Sequence, residues 1–298
     1  MKLCAVILAT ILALAVALGM LLARYSMRIQ GLTLEQARAR QSERYDPGWY
    51  DDLEKRDYTV KSCDGYSLHA QLLVNPRTTD RYVILSHGYT DNRIGSLKYA
   101  RIYLDLGFNA VIYDLRGHGL NERTYCTYSV REARDLDALI RDARTRFPGL
   151  RVLGLHGESL GAATSVAVLK YRPEADFVVA DCGFSEITSI LKAGLRQMRL
   201  PAGLVYLASL CAKGMYGYMY SEMRPIDSLR ENDVPVLFIH GDADSFIPPS
   251  HSEAMHAATR GMSALRLMPG ARHAASVFTD YELYCRWIKD FLTEVGAI

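Results

Sequence analysis

A chain of 298 residues, 49% of them hydrophobic, with a formal net charge of +2, is long and apolar enough to bury a large core and too rich in apolar residues to be disordered. Acidic and basic residues are mixed along its length and no long basic tract occurs, which argues against nucleic acid as a partner. The six cysteines are scattered without a C-x-x-C pair or zinc-type spacing, so lone thiols are expected rather than disulfides, and neither a metal nor another cofactor is expected.

The first feature along the chain is a continuous apolar stretch from Cys4 to Ala23, about 20 residues, which is the length that spans a bilayer core. A cleaved signal peptide is the alternative. The run is longer than a usual signal core, its A-x-A patterns lie inside it, and Arg24 and Tyr25 follow its end. Residues 1–24 are therefore read as an uncleaved single-pass anchor, giving the protein the membrane as a partner. Positive residues on both flanks leave the side of the globular domain open. Residues 25–49 read as a polar, helix-prone stalk, with Thr33 and Gln36 spaced as a capping box, and the globular domain is expected over 50–298.

That domain opens with an alternating segment at Tyr58–Ser62, an Asp64-Gly65 turn and a second strand over Ser67–Val74, a hairpin expected at the antiparallel edge of a sheet. From Tyr82 the pattern changes to strand, helix, strand, helix. Strands are expected at Tyr82–Leu85, Phe108–Tyr113, Val152–Leu155, Phe177–Ala180, Val234–Ile239 and Ala264–Met268. Helices are expected between them, with Ser129-x-x-Glu132, Ser250-x-x-Glu253 and Thr279-x-x-Glu282 as capping boxes. This rhythm implies an α/β fold with a mostly parallel sheet covered on both faces. Residues 184–227 interrupt it with an apolar run, Leu200–Ala212, too short to span a membrane. The insertion is either a helical lid over an apolar pocket or a plain pair of core helices.

Gly157-Glu158-Ser159-Leu160-Gly161 follows the strand at Val152–Leu155 and precedes a run of small residues, Ala162, Ala163, Ser165 and Ala167. This is the context of a G-x-S-x-G nucleophile elbow, where a serine in a strained turn requires almost no side chain two residues to either side. In an open parallel sheet, ligands bind beyond the carboxyl ends of the strands. Ser159, the pair Asp242 and Asp244, and His273 all lie just past strand ends, in the chain order Ser, Asp, His that belongs to the elbow arrangement. His273 would act as general base for the Ser159 hydroxyl, and a buried carboxylate would orient the imidazole. His87, His156 and His240 end strands and are expected to pack and hydrogen-bond there, His118 to brace a turn, and His251 and His256 to face solvent. Glu158 is expected to hydrogen-bond neighbouring loops.

Taken together, His87–Arg93, Asp114–Gly119, Gly157–Gly161, His240–Pro248 and Gly270–His273 resemble the α/β-hydrolase superfamily, in particular its serine-aminopeptidase-like branch with bacterial membrane-anchored hydrolases. The resemblance runs from about Arg56 to the C-terminus. It implies an α/β-hydrolase fold, a Ser159, Asp244, His273 triad with Asp242 as the alternative acid, and an oxyanion hole formed by the backbone N–H groups of Tyr89 and Leu160. It implies a serine hydrolase acting through an acyl-enzyme on a small-molecule ester or peptide. Ester hydrolysis on an apolar or acylated substrate is the first expectation. An aminopeptidase-like or acyltransferase activity is the alternative, and a non-catalytic scaffold is the rival of a different kind.

Overall fold

The computed structural model describes residues 2–298. In chain order the helices are α1 (Lys2–Met27), α2 (Leu34–Ser42), α3 (Leu97–Asp105), α4 (Val130–Arg146), α5 (Leu160–Ala167), α6 (Ile187–Gln197), α7 (Leu204–Tyr216), α8 (Ser250–Ala258), the single turn α9 (Ser276–Thr279) and α10 (Tyr281–Glu294). The strands are β1 (Lys55–Lys61), β2 (Ser67–Leu73), β3 (Arg81–Ser86), β4 (Asn109–Tyr113), β5 (Val152–Glu158), β6 (Phe177–Asp181), β7 (Val236–Gly241) and β8 (Ser263–Met268). They form one eight-stranded sheet in the order β1-β2-β4-β3-β5-β6-β7-β8. The pairs β1–β2 and β2–β4 are antiparallel and all others are parallel, so the opening hairpin is the antiparallel edge.

The interior strands β4, β5, β6 and β7 are buried along their whole length, which is why they read as continuous apolar runs instead of alternating ones. The order matters for function. The chain runs from β3 to β4 on one side and then returns to β5 on the other side of β3. That reversal opens a crevice at the carboxyl ends of β3 and β5, the place where open α/β sheets bind ligands.

The chain divides into two compact units. The larger comprises Ile29–Ser185 and Pro225–Ile298 and holds the whole sheet; the smaller comprises Glu186–Arg224 together with the N-terminal segment ending at Arg28. The polar stretch read as a stalk departs from expectation, since residues 29–49 fold onto the larger unit. Ala37 is fully buried in its core, with Leu32, Leu34, Tyr45 and Trp49 packed against it. Asn92 Nδ2 donates to the carbonyls of Leu32 and Thr33 at 3.1 Å each, and Leu32 N donates to Thr90 O at 3.0 Å. The apolar residues that do this are spaced too sparsely among charges to register as a core-facing face. The Thr33–Gln36 capping box forms as expected.

Two other caps differ. α8 starts at Ser250 itself with Pro249 as N-cap, and α10 is capped by Asp280, whose Oδ1 accepts from Leu283 N at 2.9 Å, instead of by Thr279. A carboxylate one residue closer to the helix is the stronger acceptor, and Thr279 is taken up by α9. In the smaller unit, the interruption at 184–227 contains α6 and α7. All six cysteines are free thiols.

Candidate active site

β5 delivers its last residue, Glu158, at the carboxyl edge of the sheet, and Ser159 makes the turn into α5 at φ 54° and ψ −112°, a conformation sparsely populated for any residue with a side chain. The neighbouring glycines explain how the turn fits. A Cβ on Gly157 would lie 2.1 Å from Gly161 O, and one on Gly161 would lie 2.0 Å from Ser86 O at the end of β3. No side chain can enter either place. Ser159 N donates to Asp181 O on β6 at 2.8 Å, and Ala163 N closes the first turn of α5 on Ser159 O at 2.9 Å.

The other two chemistry-bearing side chains come from the loops after β7 and β8. Asp244 Oδ1 accepts from Phe246 N and Ile247 N at 2.9 Å each, which aims Oδ2 at His273 Nδ1, 2.7 Å away. His273 Nε2 lies 3.0 Å from Ser159 Oγ. Burial alone would raise the Asp244 carboxyl, but hydrogen bonds from His240 and His273, with the Ile247 N–H, hold it well below the usual carboxylate range. His240 donates from Nε2 to Ile247 O at 2.8 Å, and its Nδ1 lies 2.7 Å from Ser252 Oγ, so it props the loop that carries Asp244. Asp242 is exposed and turned elsewhere: its Oδ1 accepts from Gly270 N at 2.6 Å and braces the turn before His273. The fold thus brings Ser159, His273 and Asp244 into one hydrogen-bonded row and leaves Asp242 outside it. Phe246, not singled out in the sequence, stands edge-on to the His273 ring at 5.0 Å between centroids.

Tyr89 and Leu160 lie on either side of the crevice between β3 and β5. Leu160 is the first residue of α5, ahead of the first intrahelical hydrogen bond, so its N–H is one of the donors a helix start leaves over. The backbone at Tyr89 is clamped. His118 Nε2 lies 2.7 Å from Tyr89 O, His87 Nδ1 donates to Gly88 O at 2.8 Å, and His87 Nε2 accepts from Leu115 N at 2.9 Å. Arg93 and Asp114, both buried, pair at 2.6 Å beneath this loop. Tyr89 stacks on Tyr128 at 5.9 Å, and Tyr128 meets Phe184 edge-on at 6.4 Å, which makes an aromatic wall.

Behind the elbow lies a buried polar cluster that the sequence reading missed. Glu158, expected to hydrogen-bond neighbouring loops, bonds to α3 instead: its Oε2 is 2.5 Å from Lys98 Nζ and accepts from Tyr99 OH at 2.6 Å. Asp181, opposite Glu158 in the β5–β6 register, accepts from Tyr99 OH at 3.1 Å and Tyr284 OH at 2.9 Å. Burial and the Glu158 charge push the Asp181 carboxyl up to about 6, while the Lys98 ammonium outweighs burial and holds Glu158 below its usual range. His156, between Tyr103 and Tyr284, is pushed down to about 3 by burial and stays neutral. The available signal was Lys98 and Tyr99 in the first turn of α3, a charged and a hydroxyl-bearing side chain beside the apolar positions Leu97, Ala100 and Ile102.

The remaining histidines are more engaged than expected. His251 Nδ1 lies 2.7 Å from Ser185 Oγ and His256 Nδ1 lies 2.8 Å from Ser263 Oγ, and both rings are half-buried. Among the described residues, no group of three or more His, Cys, Asp or Glu side chains is placed to hold a metal ion.

Comparison with known proteins agrees with this architecture. The family model described as serine aminopeptidase, S33, matches residues 77–201. The uncharacterised protein YqkD of Bacillus subtilis is 33% identical over 251 residues, covering 83% of this chain and 82% of its own. The α/β-hydrolase domain-containing protein WAV2 of Arabidopsis thaliana is 24% identical over 249 residues, covering 81% of this chain and 79% of its own. Among solved structures, the Pyrococcus furiosus esterase Pf2001 superposes with a TM-score of 0.67 at 21% identity, covering 84% of this chain and 96% of that one. With the eight-stranded sheet and the strand-end elbow already described, these likenesses show that the chain belongs to the α/β-hydrolase superfamily and is an enzyme of the serine-hydrolase type, esterase- or peptidase-like.

Proposed function

We propose that this enzyme is a membrane-anchored carboxylic ester hydrolase that works through an acyl-enzyme on Ser159. The observation that carries the reading is the hydrogen-bonded row itself, with Ser159 Oγ at 3.0 Å from His273 Nε2 and His273 Nδ1 at 2.7 Å from Asp244 Oδ2. With Nδ1–H committed to the Asp244 carboxylate, Nε2 is left as the acceptor for the serine proton. Ser159 Oγ attacks the ester carbonyl as His273 takes its proton. The oxyanion is held by the N–H groups of Tyr89 and Leu160, and His273 returns the proton to the departing alcohol. Water then enters by the same route, activated by His273, and releases the acid. The aromatic wall of Tyr89, Tyr128 and Phe184 suits an apolar acyl or aryl group.

Ester cleavage is favoured over release of N-terminal residues by the use made of two carboxylates in the 184–227 insertion. An aminopeptidase needs an acid for the free amine. Glu186 accepts from Ser189 N at 2.9 Å and caps α6, and Glu222 pairs with Lys213 at 2.8 Å. α1 is 26 residues long, strongly apolar and mostly exposed, which supports its role as the anchor.

The test is labelling by a fluorescent fluorophosphonate together with hydrolysis of p-nitrophenyl esters and aminoacyl nitroanilides. Wild type is expected to label and to cleave esters in preference to nitroanilides. Ser159→Ala should lose both labelling and at least about 10⁴-fold in kcat with little change in melting temperature. Labelling retained in Ser159→Ala would remove Ser159 as nucleophile. Nitroanilide cleavage dominating in wild type would replace the ester reading with the peptidase one.

A further inference from the structure

α7 is an apolar helix of 13 residues, too short to cross a bilayer, and it packs along α1 within the smaller unit. The contact is close because Gly19 of α1 has no side chain. A Cβ there would lie 2.7 Å from Cys211 Sγ and 2.8 Å from Leu207 Cγ, both on α7. Cys211 Sγ also lies 3.8 Å from Val16 O. Small residues that let two backbones approach in this way are the usual contact between helices in lipid. Further along, Ser26 Oγ and Tyr220 OH are 2.6 Å apart, which fixes the register of the two segments.

That register sets the depth of α7. The apolar run of α1 ends at Ala23. At 1.5 Å per residue, Gly19 and Val16 lie roughly 6 and 10 Å inward from that end, so the middle of α7 sits at the same level. Leu207 and Cys211 face α1, whereas Tyr206 and Leu210, one helical turn apart on another face, are 63% and 64% exposed. On α1 itself, Leu18, Met20 and Leu21 are also exposed. The exposed face of α7 therefore continues the lipid-facing surface of α1. A polar contact at its edge matches such a position: Lys192 of α6 donates to Tyr206 OH at 2.7 Å, an amphipathic Lys–Tyr pair of the kind found where acyl chains meet headgroups.

We propose that α7 is an interfacial helix, lying in the bilayer leaflet that receives the end of α1, with Tyr206 and Leu210 in the boundary between headgroups and acyl chains. The occupant of this face is lipid. The depth inferred from α1 falls within the roughly 5–10 Å at which amphipathic helices lie in that boundary. The protein thus holds the membrane at two places, a span and a helix beside it. This rests on the reading of α1 as a membrane anchor.

The experiment uses the full chain in vesicles of phosphatidylcholine and phosphatidylglycerol, with Leu210→Trp and, separately, Tyr206→Trp. The native Trp49 and Trp287 provide a background read from wild type. The added emission is expected to be blue-shifted and quenched at least about twofold by phosphatidylcholine brominated in the acyl chains, while the wild-type emission is unchanged. Protein that floats with vesicles but whose added tryptophan emits as in water, unquenched, overturns the proposal and leaves the anchor standing. Added emission that is blue-shifted but insensitive to brominated lipid also overturns it, since the face would then be covered by protein. Failure to float with vesicles overturns the anchor, and the interfacial helix with it.

Discussion

Asp242 and Asp244 stand two residues apart on one loop and have different tasks. Asp244 is buried, takes two backbone N–H groups on one oxygen and offers the other to His273. Asp242 is exposed and spends its carboxylate on Gly270 N. Only the first can hold the imidazole in the tautomer that leaves Nε2 free. Asp244→Asn, which replaces an acceptor by an amide donor toward Nδ1, is expected to lower kcat by about 10³–10⁴-fold. Asp242→Asn keeps an oxygen for Gly270 and is expected to stay within about tenfold of wild type, since it removes at most one charge-assisted hydrogen bond. Steady-state kinetics on one ester substrate checks both, and the reverse order of effects would move the acid to Asp242. Behind the elbow, the Lys98–Glu158 pair is of the kind whose disruption leaves a lone buried charge. It anchors a buried hydrogen-bonded network under a serine whose backbone is strained.

At the level of elements, the elbow shows how a strand and a helix are joined by excluding side chains. Gly157 and Gly161 face backbone atoms at 2.1 and 2.0 Å from where a Cβ would sit, and backbone cannot rotate away as a side chain can. Gly157→Ala is therefore expected to cost about 3 kcal/mol or more, or to prevent soluble expression. Gly65 differs: it turns the β1–β2 hairpin at φ 83° with nothing within 4 Å of its absent Cβ. Gly65→Ala meets only the left-handed backbone penalty, about 1–2 kcal/mol. Urea denaturation of the two variants separates crowding from conformational strain. Equal costs would mean that the packing around Gly157 can relax.

For the whole molecule, residues 29–49 decide where the larger unit begins. They contribute Ala37 to the core and pack Leu32, Leu34, Tyr45 and Trp49 against it, and Gln41 Nε2 donates to Asp91 Oδ2 at 3.3 Å beside the loop that carries Tyr89. A chain truncated to residues 29–298 is expected to remain folded and to retain ester hydrolysis. A chain starting at residue 51 is expected to melt at a clearly lower temperature and to lose most of its activity, because the segment bonded to Thr90 and Asn92 is gone. Equal melting temperatures and rates for the two would restore the stalk reading of this segment.

The strand and helix rhythm, the antiparallel opening hairpin and the glycines of the elbow were legible in the sequence. Each depends on local periodicity or on the room a turn leaves, and both are written in neighbouring residues. The positions of Ser159, Asp244 and His273 just past strand ends were legible for the same reason. Tertiary structure decided what depends on residues far apart. It separated Asp244 from Asp242 by the direction of one loop, and it joined Lys98, Glu158, Tyr99, Asp181 and Tyr284 into a buried network drawn from the ends of two strands and the first turns of two helices. It turned a polar stretch into part of the core, because a few apolar side chains among charges suffice when a complementary surface waits elsewhere in the chain. It also laid α7 along α1, a contact made possible by one absent side chain at Gly19 and invisible until the two segments, nearly two hundred residues apart, are seen side by side.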